Sequence, residues 1–206
     1  MHSTNRLTRA SVLFLSFALL GASVVPAQDR STDPAVALRG SEALASPPPV
    51  ELLPYGSPWV AKGRGVLRFF GFKAYDATLW LAGTDKAWSF DRPFALEIRY
   101  ATAIKGSDIA NTSLIELQRI STVTPEQIAA WAQLMNTLFV DVKAGDQLSG
   151  LHLPGQGARF YLNGKRMGET ADAAFSEAFF KIWLDPKSKR QDLRLALLGQ
   201  TPAVAR

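Results

Sequence analysis

Phe94-Ala95-Leu96-Glu97-Ile98-Arg99-Tyr100 alternates large apolar side chains with small or charged ones, and that alternation decides the fold class. Period two is the repeat of a strand. Phe94, Leu96, Ile98 and Tyr100 therefore share one face, and Glu97 and Arg99 the other. This is a half-buried strand. Upstream, residues 63–69 and 72–81 read as two more strands broken at Gly71, with β-branched and aromatic residues and few breakers. Downstream the period changes. Ser107 is placed to cap a helix through Ile109, Leu114, Leu117 and Ile120. Thr124-Pro125-Glu126-Gln127 is a strong helix start: threonine caps the free amides, proline suits the first turn, and Gln127 completes a capping box. Ile128, Trp131, Met135, Leu138 and Phe139 then form an apolar stripe at helical spacing.

Strands are expected again at 147–153 and 158–162. Asn163-Gly164 follows, a pair that tolerates the positive φ of a type I′ hairpin turn, with 165–169 as the return strand. Residues 172–184 read as an amphipathic helix. A short helix at 193–198 ends at Gly199. The order β-β-β, α-α, β-β-β, α-α predicts an α+β domain: an antiparallel sheet with helices laid on one face.

Composition bounds the chemistry. The chain has 206 residues, 47% hydrophobic and 20% charged, which suits one globular domain. It has no cysteine, so disulfides, zinc-thiolate sites and thiol nucleophiles are excluded. Its histidines are His2 and His152; no G-x-S-x-G elbow accompanies His152, which reads as a strand or loop residue of no special role. No metal or organic cofactor is implied. The net charge of +5 falls to +3 once residues 1–27, with Arg6 and Arg9 and no acids, are removed. The remaining basic residues are scattered and form no nucleic-acid stripe. Lys187, Lys189 and Arg190 are the densest cluster, read as a solvated turn.

Residues 1–27 have the order of a cleavable secretory signal: basic Arg6 and Arg9, an uncharged stretch from Ala10 to Val25, then small residues at Val25-Pro26-Ala27. The expected location is periplasmic or secreted, with no transmembrane span in the mature chain. Residues 28–58, rich in Ala, Pro and Ser, read as a flexible leader or extended edge segment. The domain is expected at 59–199 and a short tail at 200–206.

Several stretches then stand in one order: Gly63-Arg64-Gly65-Val66-Leu67-Arg68, Gly71-Phe72-Lys73-Ala74-Tyr75-Asp76-Ala77-Thr78-Leu79-Trp80, Val142-Lys143-Ala144-Gly145-Asp146, Phe160-Tyr161-Leu162-Asn163-Gly164, Ala178-Phe179-Phe180-Lys181-Ile182-Trp183-Leu184 and Leu193-Arg194-Leu195-Ala196-Leu197-Leu198-Gly199. Together they resemble the bacterial chalcone isomerase-like proteins. The resemblance implies an open-faced β-sandwich, with a cleft between a large antiparallel sheet and its helices. It also implies one of two uses for that cleft. Enzymes of the family cyclise chalcones with an arginine on an early strand, whose fixed charge stabilises the developing oxyanion. Other relatives bind fatty acids, and a guanidinium can hold a carboxylate through two parallel hydrogen bonds.

The resemblance points to Arg68 and Arg64 as the guanidinium, with Arg68 favoured, and to Tyr75 as its companion. Tyr75 falls near a position where the enzymes have threonine and fatty-acid-binding relatives tend to have tyrosine, whose hydroxyl can complete a carboxylate clamp. The enzymes' Tyr, Lys and Asn set on the first helix is not reproduced; Asn111 is a partial match, and Glu116 is expected to face solvent or pair with Arg119. Trp80, Trp131 and Trp183 are read as core residues or cleft walls. The leading expectation is an exported protein binding a small amphipathic, fatty-acid-like carboxylate, without chalcone isomerase activity. The alternatives are an isomerase acting on an unsaturated ketone and an envelope protein-interaction module. No particular protein partner is indicated.

Overall fold

The computed structural model describes residues 47–85 and 87–200. The expectations for residues 1–27 and 201–206 lie outside the described residues. Six strands form one antiparallel sheet in the order of the sequence: β1 (Trp59–Phe69), β2 (Phe72–Ala82), β3 (Phe94–Tyr100), β4 (Gln147–Leu153), β5 (Gly157–Leu162) and β6 (Lys165–Thr170). Helices α1 (Gly106–Ile120) and α2 (Pro125–Leu138) lie in the connection between β3 and β4. Helices α3 (Ala173–Leu184) and α4 (Gln191–Leu197) follow β6.

Local signals in the chain account for most of these bounds. At α2 the capping box forms on both sides: Gln127 N–H donates to Thr124 Oγ1 and Thr124 N–H to Gln127 Oε1. Asp172 caps α3 by accepting from Phe175 N–H at 2.9 Å. The β5–β6 hairpin turns through Asn163 and Gly164, both at positive φ. At α1, Ser107 makes no side-chain cap. The Gly106 N–H is met instead by Asp141 Oδ1 at 2.9 Å, a residue from the far side of α2.

The pleat sorts the sheet into two faces. One carries Ala77, Leu79, Leu96, Ile98, Leu148 and Phe160 into the main core, under Leu117 of α1, Met135 of α2, Phe175, Phe179 and Phe180 of α3, and Leu193 and Leu197 of α4. The phenylalanines interlock edge to face and offset, with Phe160 and Phe179 centroids 5.3 Å apart. Helix α4 approaches β1 so closely that a Cβ on Gly63 would sit 2.1 Å from the Ala196 carbonyl oxygen. Only glycine allows that contact.

The other face is partly covered. Val50–Tyr55 forms a 3-10 turn that lays the fully buried Leu52 on Trp59, Trp80, Ala95, Leu151 and Leu153. Trp59 Nε1 donates to the Leu52 carbonyl at 2.9 Å, and Ser149 Oγ donates to Glu51 Oε1 at 2.6 Å. The packed unit thus begins before Trp59, and residues 47–58 are not the loose leader expected from their composition. Proline-rich composition is a signal of weak propensity; one buried leucine and two buried hydrogen bonds override it.

His152 on β4 is fully enclosed. Its Nδ1 lies 2.7 Å from Ser176 Oγ and its Nε2 lies 2.8 Å from the Phe90 carbonyl, so Nε2 carries the proton and Nδ1 accepts from the hydroxyl. A serine and a histidine are in contact, but they are sealed beneath Phe94 and Phe180. Their work is to tie the loop before β3 and helix α3 to the sheet.

Candidate functional site

The main core does not close at the end of the sheet where β1 and β2 meet their hairpin. Between that end of β1–β3, the outer side of α1, the last turns of α3 and the turn leading into α4 lies a cleft of about 390 Å³. Its wall is overwhelmingly apolar: Ile98, Ile104, Ile109, Phe139, Leu148 and Phe179 form the inner part, and Leu67, Phe69, Ile182 and Trp183 the outer part. The volume falls in the range of roughly 300–1,000 Å³ typical of small-molecule sites.

Polar groups enter this cleft at few points. Tyr75 lies opposite Leu67 on β1 and Tyr100 on β3, and its ring meets that of Tyr100 edge-on at 6.1 Å. Its hydroxyl accepts from Trp183 Nε1 at 3.0 Å. Burial pushes the Tyr75 pKa up to about 12 against the opposing effects of the Trp183 hydrogen bond and the charge of Arg190. The hydroxyl is therefore neutral at physiological pH and retains its proton. Burial raises the Tyr100 phenol as well, with the neighbouring Tyr75 adding to the effect.

The cationic groups at the cleft come from the turn before α4. Arg190 donates from Nε and Nη2 to Asp192 and from Nη1 to the Arg68 carbonyl at 2.8 Å. Lys189 Nζ meets Glu116 Oε1 at 2.5 Å, and Arg119 Nη2 meets Glu116 Oε2 at 2.7 Å. Desolvation would raise the Glu116 pKa, but hydrogen bonds and charge from Lys189 and Arg119 outweigh it and hold the carboxyl below its usual value. Glu116 is thus an ionised strut between α1 and the 185–190 turn; it pairs with Arg119 as expected, yet it is buried and does not face solvent. Helix α1 adds Asp108, Thr112 and Ser113 to the lining, whereas Asn111 is exposed.

The three residues singled out from the sequence do not assemble. Tyr75 lines the cleft. Arg64 lies opposite Thr78 on β2 and donates from Nε to Thr78 Oγ1 at 3.2 Å, on the other face of the sheet. Arg68 is exposed at the hairpin, where its Nη1 reaches the Gly71 carbonyl at 3.4 Å. Along β1 the alternation holds: Gly63 and Gly65 face α4 and Leu67 and Phe69 line the cleft, so both arginines fall on the positions between them. The register shift between Leu67 and Arg68 leaves Ala74 of β2 as the extra residue, and what the cleft's arginine uses of Arg68 is its backbone oxygen. Trp183 is a cleft wall. Trp80 belongs to the opposite face and donates to Glu97 Oε2 at 2.8 Å; Trp131 is core and donates to Asp172 Oδ2 at 2.8 Å.

Arg64 lines a second groove of about 760 Å³ on that opposite face, roofed by Pro47–Pro49 and walled by Thr78, Glu97, Arg99 and Gln147. Its charges are already engaged with one another: Arg99 Nη2 contacts Gln147 Oε1 at 2.7 Å and Glu97 Oε1 at 3.5 Å. Among the described residues no cluster of acidic and histidine side chains is placed to hold a metal ion. No helix among them is long and apolar enough to cross a membrane.

Sequence reasoning missed Arg190 and Lys189 as cleft residues. The cluster Lys187, Lys189 and Arg190 was visible, but nothing in its spacing shows that the β1–β2 hairpin lies beside it.

Comparison with known proteins agrees with this architecture. A crystal structure of a fatty-acid binding protein of Arabidopsis thaliana superposes with a TM-score of 0.56, covering 70% of this chain and 88% of that one, at 9% identity. At that identity the likeness is one of fold. An uncharacterized protein of Haemophilus influenzae is 32% identical over 111 residues, and the match spans about half of each chain, 54% in both. The model of the chalcone isomerase-like family matches residues 50–199, from the 3-10 turn to the glycine after α4. The chain belongs to the chalcone isomerase-like family.

Proposed function

We propose that this chain is an exported member of the family that holds a small amphipathic carboxylate, such as a fatty acid, in the cleft between sheet and helices, and that it does not isomerise chalcones. The observation that carries the reading is the cleft itself: an apolar chamber whose lining includes the neutral Tyr75 hydroxyl and two cations, Lys189 and Arg190. An alkyl chain would lie against Ile98, Ile104, Ile109 and Phe179. Its carboxylate would accept from Tyr75, whose oxygen is already supplied by Trp183 and whose proton remains to donate. Arg190, near enough for its charge to act on Tyr75, would balance the anion in the role first assigned to Arg68 or Arg64. The fatty-acid binding fold neighbour supports the reading, and the signal-like order of residues 1–27 supports export.

Mass spectrometry of an organic extract of the protein, taken from its native compartment, tests the proposal. An acyl chain should co-purify. Added dodecanoate at about a hundred times its dissociation constant should stabilise the protein by about 2.7 kcal/mol. For a domain of this size that raises the melting temperature by roughly 5–10 °C. If nothing co-purifies and the melting temperature does not move, the reading is wrong. Loss of chalcone absorbance faster than the spontaneous rate would replace binding with catalysis.

A further inference from the structure

The β1–β2 hairpin ends on three phenylalanines that the core does not claim. Phe69, Phe70 and Phe72 are 66%, 81% and 79% exposed. The turn itself is unusual in its choice of residue. Phe70 has φ +47° and Gly71 φ +82°; the β5–β6 hairpin passes through nearly the same pair of conformations with Asn163 at +51° and Gly164 at +77°. Asparagine-glycine suits that turn, and a bulky aromatic does not. The Phe70 ring meets Phe69 edge-on at 4.6 Å and is otherwise in solvent. Neither turn chemistry nor packing accounts for a phenylalanine here, so its side chain has another use.

Charge identifies what that use is. From Val66 to Lys73 the hairpin end carries Arg68 and Lys73 and no acidic residue. The bond from Arg190 to the Arg68 carbonyl sets the 185–190 turn, with its own lysines, beside the hairpin. Three nearby acids are held in ion pairs, Asp76 with Lys73 at 2.5 Å, Asp192 with Arg190 and the buried Glu116 with Lys189, and Asp185 of the turn accepts from the Lys187 backbone N–H. Exposed rings in front of a cationic collar complement an anionic lipid surface. The shape agrees, since a convex tip offers a rigid protein partner no flat face to bury, whereas a bilayer closes around it.

We propose that the β1–β2 hairpin end docks on anionic bilayers, with Phe70 and Phe72 entering the acyl boundary and Arg68 and Lys73 meeting the headgroups. Phe69 also lines the cleft, so docking turns the mouth of the cleft toward the membrane. This goes beyond ligand binding: docking stands whether or not the cleft holds a fatty acid.

The chain has no cysteine, so Phe70→Cys gives one attachment site for an environment-sensitive fluorophore in the full chain. With vesicles of phosphatidylcholine and phosphatidylglycerol at about 3:1 the label should shift to the blue, less so at high salt, and not with phosphatidylcholine alone. Flotation of the Phe70→Ser/Phe72→Ser double variant should show vesicle affinity at least about tenfold lower with an unchanged melting temperature, because both side chains are exposed. A label that stays in water while the chain floats assigns binding to another segment and overturns the proposal. So does a dimer seen without vesicles and abolished by the double substitution, which would make the tip a contact between copies. Dodecanoate stabilisation is measured without vesicles, so failure of docking and failure of the cleft reading are separate results.

Discussion

Replacing Tyr75 by phenylalanine removes one oxygen and separates the structural role of that hydroxyl from its role toward a ligand. In the free protein the hydroxyl accepts from Trp183 Nε1 at 3.0 Å. Its loss leaves a donor without an acceptor, which costs roughly 1–3 kcal/mol when the donor is buried. Trp183 is only half-buried, so water reaches it and the lower end applies, about 1 kcal/mol. With a denaturant slope of about 2 kcal/mol per molar, the urea midpoint should fall by about 0.5 M. Trp183→Phe removes the same bond from the other side, and a double-mutant cycle should return a coupling of about 1 kcal/mol. The ligand arm is larger. A hydrogen bond from a neutral donor to a carboxylate contributes roughly 1.5–3 kcal/mol, so Tyr75→Phe should weaken dodecanoate binding by about 10- to 100-fold. Because the pKa is pushed up to about 12, this loss should be constant between about pH 6 and 10, where the carboxylate is ionised and the phenol is not. Titration of a fluorescent acyl probe measures the affinity. If the variant matches the parent in both midpoint and affinity, the assignment of Tyr75 is wrong. If the midpoint falls and affinity does not, the hydroxyl serves only Trp183.

Three other outcomes follow from the packing. Leu52→Ala should destabilise by about 2–3 kcal/mol in urea unfolding, since a fully buried leucine leaves a cavity, while Leu53→Ala, 56% exposed, should change little; equal effects would mean the 3-10 turn is not part of the fold. Gly63→Ala should cost more than about 3 kcal/mol by the same assay, because the added carbon meets the Ala196 carbonyl and α4 must move, and dodecanoate affinity should fall as Leu193 withdraws from the cleft. Burial lowers the His152 pKa, more than the Phe90 carbonyl and Glu177 raise it, so the unfolded chain binds that proton more readily. Stability from this group is complete above the unfolded pKa of about 6.5 and is lost as pH falls from there toward the lower folded value, so the parent should lose stability as pH falls below about 6.5 and His152→Gln should lose less.

The alternation in Phe94–Tyr100 correctly reported both faces of β3, and Asn163-Gly164 and Thr124–Gln127 reported their turn and cap, because each signal is complete within a few residues. The site was less legible. Tyr75 was found, but the guanidinium was assigned along β1, where Gly63, Gly65, Leu67 and Phe69 take the side toward α4 and the cleft and both arginines fall between them. Arg190 reaches the cleft through a contact 122 residues apart in sequence, to the Arg68 carbonyl, and no local pattern encodes that. Val50–Tyr55 was hidden for the opposite reason: its composition resembles a linker, and its place in the fold rests on Leu52 finding the far face of the sheet.

The strand order also bears on how the chain reaches this state. Neighbours in the sheet are neighbours in sequence at every seam, but β3 and β4 are separated by both α1 and α2. The chain therefore meets two local problems, the β1–β3 and β4–β6 meanders, and one long-range one. Closing a loop as long as that excursion costs about 2 kcal/mol more than closing a turn of a few residues. The β3–β4 seam is where the folding barrier should concentrate. Substitutions at Leu96 or Leu148, which face each other's strands across it, would then slow folding, whereas changes within either meander would mainly speed unfolding.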